Sequence, residues 1–109
     1  MVITINIFYN GANGNARKFA EEMERSGTAD KIRAEDGNLR YEYYFPFHDS
    51  ETVLLIDSWR DETALDAHHK SPMMKIIANL REKYDLHMKV ETFFAQENAT
   101  LTNNEYVRK

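Results

Sequence analysis

The side chains best suited to chemistry in this 109-residue sequence lie in one run, Asp57–Met74, which reads DSWRDETALDAHHKSPMM. The run holds the only tryptophan, Trp59, and two adjacent histidines. Histidine changes charge near neutral pH without special help, so it is suited to general base catalysis. His68 follows Leu65 by three residues and falls on the inward stripe of a predicted helix, whereas His69 lies off that stripe and is expected to face solvent.

Each of these groups also has a purely structural interpretation. His68 could be a hydrogen-bonded histidine at the rim of a core, and Trp59 could be a core tryptophan. Asn6 places an amide inside the strand VITINIFY, on the face that carries Thr4 and Phe8. A buried amide needs hydrogen-bond partners. Either that face is solvated, or Asn6 points into a cavity where a ligand or water meets it.

The sequence predicts neither a metal site nor a cofactor site. Adjacent helix positions differ by about 100° in direction, so His68 and His69 cannot both face one ion. There is no cysteine, and no other set of histidines and carboxylates has ligand spacing. The glycines of NGANGN do not match a dinucleotide fingerprint, so we expect no flavin and no nicotinamide.

Composition narrows the class of partner. Apolar residues make up 42% of the chain and charged residues 29%, and the net charge of −4 argues against a nucleic-acid partner. No apolar run is long enough to span a membrane, and MVITINIF lacks the features of a signal peptide. The composition is typical of a cytoplasmic protein.

Hydrophobic periodicity predicts one ferredoxin-like domain. The predicted strands are 2–9, 38–47, 52–59 and 86–95, and the predicted helical segments are 16–25, 28–36, 62–69 and 72–84. Asp61 is the expected N-cap of the third helical segment, and Ser71-Pro72 is expected to cap the fourth with proline at its first position. The β-α-β-β-α-β order is typical of a split βαβ antiparallel sheet, within one domain over 1–109 that has a core of about 2–95 and a polar tail at 96–109.

The residue pattern of the two middle strands predicts that the protein forms an oligomer. Leu39, Tyr41, Tyr43 and Phe45 share one predicted face with Tyr44 on the other, and Leu54 and Ile56 oppose Val53, Leu55 and Trp59. A sheet that is apolar on both faces needs two coverings, and the helices supply only one. We therefore expect a homodimer that packs sheet against sheet. The inward stripe of the last helix is expected to be Met73, Ile76, Ile77, Leu80 and Tyr84.

The run Asp57–Lys75 resembles the signature of the antibiotic biosynthesis monooxygenase domain family. The family pattern is an acidic residue and a tryptophan at a strand end, followed by Leu, His, a Ser/Thr-Pro break and an apolar helix. The matching positions are Asp57, Trp59, Leu65, His68, Ser71-Pro72 and Met74-Lys75. The segment EDGNLRYEYY also resembles the glutamate-glycine turn that leads into the second strand of the family.

The resemblance implies a dimeric α+β barrel, closest to the group of quinol monooxygenases. These proteins oxidise quinol-like or other small aromatic substrates with O2, without metal or flavin. By this resemblance His68 would be the base, and Asn6 and Trp59 would hold the oxygenated intermediate. The expected substrate-binding wall is Tyr41, Tyr43, Tyr44, Leu65 and Met74.

Three alternatives follow from relatives of this family or from the pocket itself. Haem degradation is rejected because residues 76–78 are Ile, Ile and Ala, where haem-degrading relatives carry a histidine. Isomerisation of a small phosphorylated signalling sugar needs a cationic anchor, for which Arg40, Lys75 and Arg108 are candidates. A third possibility is a dimeric domain that binds a small aromatic molecule without turnover.

Overall fold

The computed structural model describes residues 1–95 and residue 108. The predicted polar tail at 96–109 therefore lies outside the described residues, apart from the exposed Arg108. None of the described helices is both long and apolar enough to cross a bilayer. In chain order the described part contains β1 Ile3–Asn10, a 3₁₀ turn Ala12–Gly14, α1 Asn15–Arg25, α2 Thr28–Arg33, β2 Asn38–Tyr44, β3 Thr52–Trp59, α3 Glu62–His69, α4 Met73–Lys83 and β4 His87–Phe94.

The four strands form one antiparallel sheet in the order β2-β3-β1-β4. The two strands that are central in space, β1 and β3, pair along their full lengths, with Ile5 opposite Asp57 and Ile3 opposite Trp59. Both crossovers pass through helices, so each half of the chain is a split βαβ unit. This confirms the predicted ferredoxin-like α+β fold.

The helices cover the face of the sheet that carries the odd-numbered residues of β1 and β3. Tyr9 packs against Phe19 of α1 at 4.8 Å between ring centroids, and Trp59 packs against His68 of α3. The buried core contains Val53, Leu55 and Trp59 on one side of β3, as the alternation predicts. The edge strand β4 is exposed along most of its length, so the helical layer leaves that side of the sheet open.

The caps predicted for α3 and α4 agree with the structure at the start of α3 but not at the start of α4. The Asp61 carboxylate accepts a hydrogen bond from the backbone N–H of Ala64 at 2.9 Å, which confirms the predicted N-cap. Pro72 lies at the N-cap of α4 rather than at its first helical position. The Ser71 hydroxyl does not cap α4, although the Ser71 carbonyl accepts the backbone N–H of Met74 at 3.2 Å.

Two predicted inward positions are wrong. A register shift between Asn38 and Arg40 breaks the alternation of β2, and Leu39 is 56% exposed instead of sharing the buried face with Tyr41. On α4 the buried residues are Ile77 and Leu80, whereas Ile76 is exposed. The helix is rotated so that Met74 contacts the core instead.

Within residues 1–95, no helix or strand covers the second face of the sheet. It carries Phe8, Leu54 and Ile56, which are only partly buried, and Asn6, whose Oδ1 is buried without a hydrogen-bond partner among the described residues. An apolar sheet face with an unsatisfied amide is poorly suited to water. We predict that two copies pack these faces together.

Light scattering at micromolar concentration should therefore give twice the 12.8 kDa mass of one chain. Ile56→Lys should dissociate the dimer because it places a charge in the middle of the buried contact. Ile76→Lys, the same change on the outer surface of α4, should leave it intact. A wild-type protein that stays monomeric at these concentrations would contradict the prediction.

Candidate functional site

A cavity of about 430 Å³ lies between the sheet and helices α3 and α4. The lining is mostly apolar and comes from β1, β3, β4 and both helices: Ile3, Ile5, Ile7, Leu55, Leu65, Met74, Ile77, Val90 and Phe94. Such a volume is in the range that encloses a small organic ligand. The polar groups in the wall include Tyr9, Tyr41, Asp57, His68 and Arg81.

Two of these polar groups are linked through Trp59. The indole Nε1–H of Trp59 donates a hydrogen bond to Asp57 Oδ1 at 2.6 Å, and its ring stacks on the imidazole of His68 at 4.5 Å between centroids. His68 Nδ1 in turn lies 2.8 Å from Glu35 Oε1. Trp59 is fully buried, so it fixes the position of a carboxyl at the edge of its ring and of an imidazole on a face of its ring.

The turn between α2 and β2 brings Glu35 to His68. Gly37 has φ +85°, a conformation that favours glycine, and a Cβ added there would lie 2.4 Å from the Cβ of Ala64. The turn therefore packs directly against α3, one helical turn before His68. The Gly37 carbonyl also accepts the backbone N–H of Arg60 at 2.8 Å, which ties the turn to the end of β3.

The Asp57 carboxyl has an unusual protonation equilibrium. Its burial raises its pKa from 3.8 to about 7, the hydrogen bond from Trp59 partly opposes this rise, and the nearby charge of Glu35 adds to it. A carboxyl with this pKa exchanges a proton readily at neutral pH, as a catalytic acid or base must.

His68 is oriented by its contact with Glu35. A carboxylate oxygen can only accept a hydrogen bond, so Nδ1 of a neutral imidazole carries the hydrogen and Nε2 keeps its lone pair. With Nδ1 held by Glu35, Nε2 is the nitrogen that remains for a ligand. The expectation that His68 lies at a rim is wrong, because its side chain is only 3% exposed. Packing of α3 against β3 and the α2–β2 turn buries it.

The structure brings together only part of the predicted site. Leu65, Met74 and Tyr41 line the cavity with His68, and Trp59 lies directly behind the imidazole. Tyr43 is on the same face of the sheet but lines a separate depression of about 720 Å³ between β2 and helices α1 and α2.

Asn6 and Tyr44 do not belong to this cavity. Asn6 pairs with Ile56, and Tyr44 pairs with Leu54, so both project from the face of the sheet opposite the helices. Alternation along β1 does not indicate which of its two faces meets the helices. We therefore correct the prediction and leave both residues out of the site.

Tyr9, Asp57 and Arg81 line the cavity and Glu35 contacts His68, although none of them was predicted as a site residue. Asp57 carried a signal, because it shares the inward face of a strand with Leu55 and Trp59. Arg81 carried one as well, four residues after Ile77 on the inward stripe of α4. No local pattern indicated the pairing of Glu35 with His68.

None of the candidate phosphate anchors lines the cavity. Arg40 projects from the opposite face of the sheet, and both Lys75 and Arg108 are exposed. Within residues 1–95 and 108, no three histidine or carboxylate side chains converge around a point where a metal ion could bind.

Comparisons with known proteins agree with this fold. The sequence model of the family described as antibiotic biosynthesis monooxygenase matches residues 2–79. No curated protein matches the sequence.

Among solved structures, a proposed antibiotic biosynthesis monooxygenase from Deinococcus radiodurans has a TM-score of 0.76 at 18% identity, covering 94% of this chain and 99% of that one. SnoaB, a cofactor-independent oxygenase from Streptomyces nogalater, has a TM-score of 0.73 at 15% identity, covering 89% and 95%. PA3566 from Pseudomonas aeruginosa has a TM-score of 0.72 at 27% identity, covering 87% and 94%. The first two likenesses concern the fold alone.

Proposed function

Because the chain belongs to the antibiotic biosynthesis monooxygenase family, we propose that it inserts one oxygen atom from O2 into a small phenol or hydroquinone without a cofactor. The observation that carries this proposal is that two proton-transfer groups, His68 with its partner Glu35 and the Asp57 carboxyl, meet at one mostly apolar cavity. A phenol needs a base to become electron-rich, and its oxidised intermediates need protection from water.

In the first step, Nε2 of His68 takes the phenolic proton. Glu35 stabilises the resulting imidazolium through its bond to Nδ1, as the third member of a triad does. The phenolate then gives one electron to O2, and the two radicals recombine to form a carbon–oxygen bond on the ring. The apolar walls keep the pair together until this bond forms.

In the second step, the imidazolium of His68 protonates the peroxide. The Asp57 carboxylate removes the hydrogen from the same ring carbon, a carbonyl forms there, and the O–O bond breaks to release hydroxide. The proton held by Asp57 converts hydroxide into water, so both residues return to their starting states. The substrate supplies all four electrons that reduce O2, and no external reductant is required.

The proposal is tested by O2 uptake with menadiol as the probe, against the autoxidation rate without protein. We expect enzyme-dependent uptake of one O2 for each hydroquinone, with a hydroxyquinone as product and no hydrogen peroxide. Plain oxidation to the quinone would instead release peroxide, which added catalase would return as half of the O2 consumed. Such a return of O2, or no uptake above background across a panel of phenols and hydroquinones, would contradict the proposal.

His68→Gln is expected to lower the rate of oxygenation by about 10²-fold, because the amide cannot accept the phenolic proton. The same change should cost about 1–3 kcal/mol of stability, because His68 is buried and hydrogen-bonded to Glu35. Steady-state O2 uptake and denaturant unfolding of the same preparations measure both effects.

The control is His48→Gln, the same substitution at an exposed position in the β2–β3 connection, which should change neither quantity. Glu35→Gln should give an intermediate rate, because it keeps an acceptor for Nδ1–H but removes the charge that stabilises the imidazolium. Full activity per folded molecule of His68→Gln would mean that His68 is only structural.

A further inference from the structure

The cavity holds an arginine that the proposed chemistry does not use. Arg81 of α4 donates two hydrogen bonds to the hydroxyl of Tyr9, from Nη2 at 2.8 Å and from Nε at 3.2 Å. No carboxylate among residues 1–95 and 108 forms an ion pair with it, whereas Arg33 pairs with Glu24. A guanidinium has five N–H donors, so donors remain after the two bonds to Tyr9.

Tyr9 does not neutralise the charge of Arg81. Burial raises the pKa of the Tyr9 hydroxyl, and the neighbouring guanidinium only partly opposes that rise. The hydroxyl therefore stays protonated at neutral pH and acts as a neutral acceptor. An unpaired cation that is half-buried in a mostly apolar wall is costly unless an anion binds it.

The strand position that holds Arg81 is offset along the sheet from the position that pairs with Asp57. Tyr9, which holds Arg81, is four residues along β1 from Ile5, and Ile5 pairs with Asp57. Four residues of strand span roughly 13 Å. Arg81 and Asp57 line the same cavity, and the charge of Asp57 acts on the Tyr9 hydroxyl that holds Arg81, so one aromatic molecule can contact both groups.

Building on the proposed function, we infer that the substrate is an aromatic hydroxy acid whose carboxylate binds Arg81 while its hydroxyl meets His68. Guanidinium and carboxylate are both planar and can form two parallel hydrogen bonds. Such a bond would set the orientation of the ring relative to His68 and Asp57. The carboxylate takes no part in the oxidation.

The test is a binding measurement under anaerobic conditions, with two matched probes, 6-hydroxy-2-naphthoate and 2-naphthol. We expect the wild-type protein to bind the acid at least about 10-fold more tightly than the neutral phenol. Arg81→Met should remove this preference while leaving the affinity for 2-naphthol within about threefold. Arg81→Lys, which keeps the charge without the planar fork, should keep part of the preference.

A variant of a surface arginine acts as the control. Arg25→Met removes one positive charge from the exposed surface of α1 and should not change the preference. If Arg81→Met fails to fold, Arg81→Lys takes its place, and a preference that is not reduced in that variant would count against the inference.

Equal binding of the two probes to the wild type, or an unchanged preference in Arg81→Met, would overturn the inference. Inorganic phosphate that displaces the acid in an Arg81-dependent way would also overturn it, in favour of a phosphorylated ligand. The proposed function is tested by a different result. If the acid binds in an Arg81-dependent way but is not oxygenated, the proposed function is wrong and the inference about Arg81 still holds.

Discussion

Replacing Asp57 with asparagine is expected to raise the free energy of unfolding at pH 8 by about 2–4 kcal/mol and to lower the rate of oxygenation by about 10³-fold. The carboxyl is buried, and its pKa rises from 3.8 to about 7 in the folded protein. At about 1.4 kcal/mol for each pKa unit, ionising it at pH 8 costs the fold about 4 kcal/mol. Asparagine keeps an oxygen that can accept the indole N–H of Trp59 but carries no charge.

The pH dependence of this effect has a defined sign. Between pH 4 and pH 7 the folded protein binds more protons at Asp57 than the unfolded chain does, so this group lowers stability as the pH rises. Below about pH 4 the carboxyl is protonated in both states, and the two proteins should differ little. The advantage of Asp57→Asn should therefore grow through this interval and level off above pH 7.

Urea unfolding of the wild type and of Asp57→Asn at several pH values measures the difference in their free energies of unfolding. The contributions of the carboxyls that both proteins contain cancel in this difference. Asp66→Asn, the same change at an exposed position of α3, is the control for stability and should stay within about 0.5 kcal/mol. If Asp57→Asn is less stable than the wild type at pH 8, the folded protein does not oppose ionisation of the Asp57 carboxyl.

Replacing Trp59 with alanine is expected to lower the free energy of unfolding by about 3–5 kcal/mol, the second large effect. Trp59 is fully buried and contacts both proton-transfer groups, through its ring to His68 and through its N–H to Asp57. Alanine leaves a cavity in place of the packed indole ring, and the buried Asp57 carboxyl loses the hydrogen bond that the indole N–H donates.

Trp59→Phe separates these two contributions. It keeps an aromatic ring against His68 but has no N–H, so we expect a loss of about 1–2 kcal/mol at pH 8. It should also raise the pKa of Asp57 further, because that hydrogen bond lowers it. Phe47→Ala removes an aromatic side chain that is 93% exposed and should stay within about 0.5 kcal/mol. Equal losses for Trp59→Ala and Phe47→Ala would refute the structural role of Trp59.

Local sequence patterns predicted the fold because each pattern has a short-range physical cause. Alternation placed Leu55 and Trp59 together on one face of β3, and a carboxylate before a helical stripe placed the cap at Asp61. The same patterns placed His68 on the inward side of α3, next to the strand end that carries Trp59.

The rest of the site depends on contacts between residues far apart in the chain. Alternation places Asn6 on the opposite face of β1 from Ile5 and Ile7 but does not say which face meets the helices. In the structure the helices cover the other face, so Asn6 lies outside the cavity. Glu35 meets His68 across 33 residues, through a glycine turn whose packing no periodicity describes. Because His68 is held between Glu35 and Trp59, it is buried rather than at a rim.

The decisive measurement is the fate of isotopically labelled oxygen during turnover of menadiol under ¹⁸O2. If His68 and Asp57 direct oxygenation, one ¹⁸O should appear in the hydroxyquinone and the other in water, and Asp57→Asn should form this labelled product about 10³-fold more slowly while remaining folded. Because a hydroxyl on a quinone can exchange with solvent, the product is trapped within seconds and a parallel reaction in H₂¹⁸O corrects for exchange. A product that carries no ¹⁸O after this correction, with labelled hydrogen peroxide in its place, would contradict the assignment of a monooxygenase activity to this cavity.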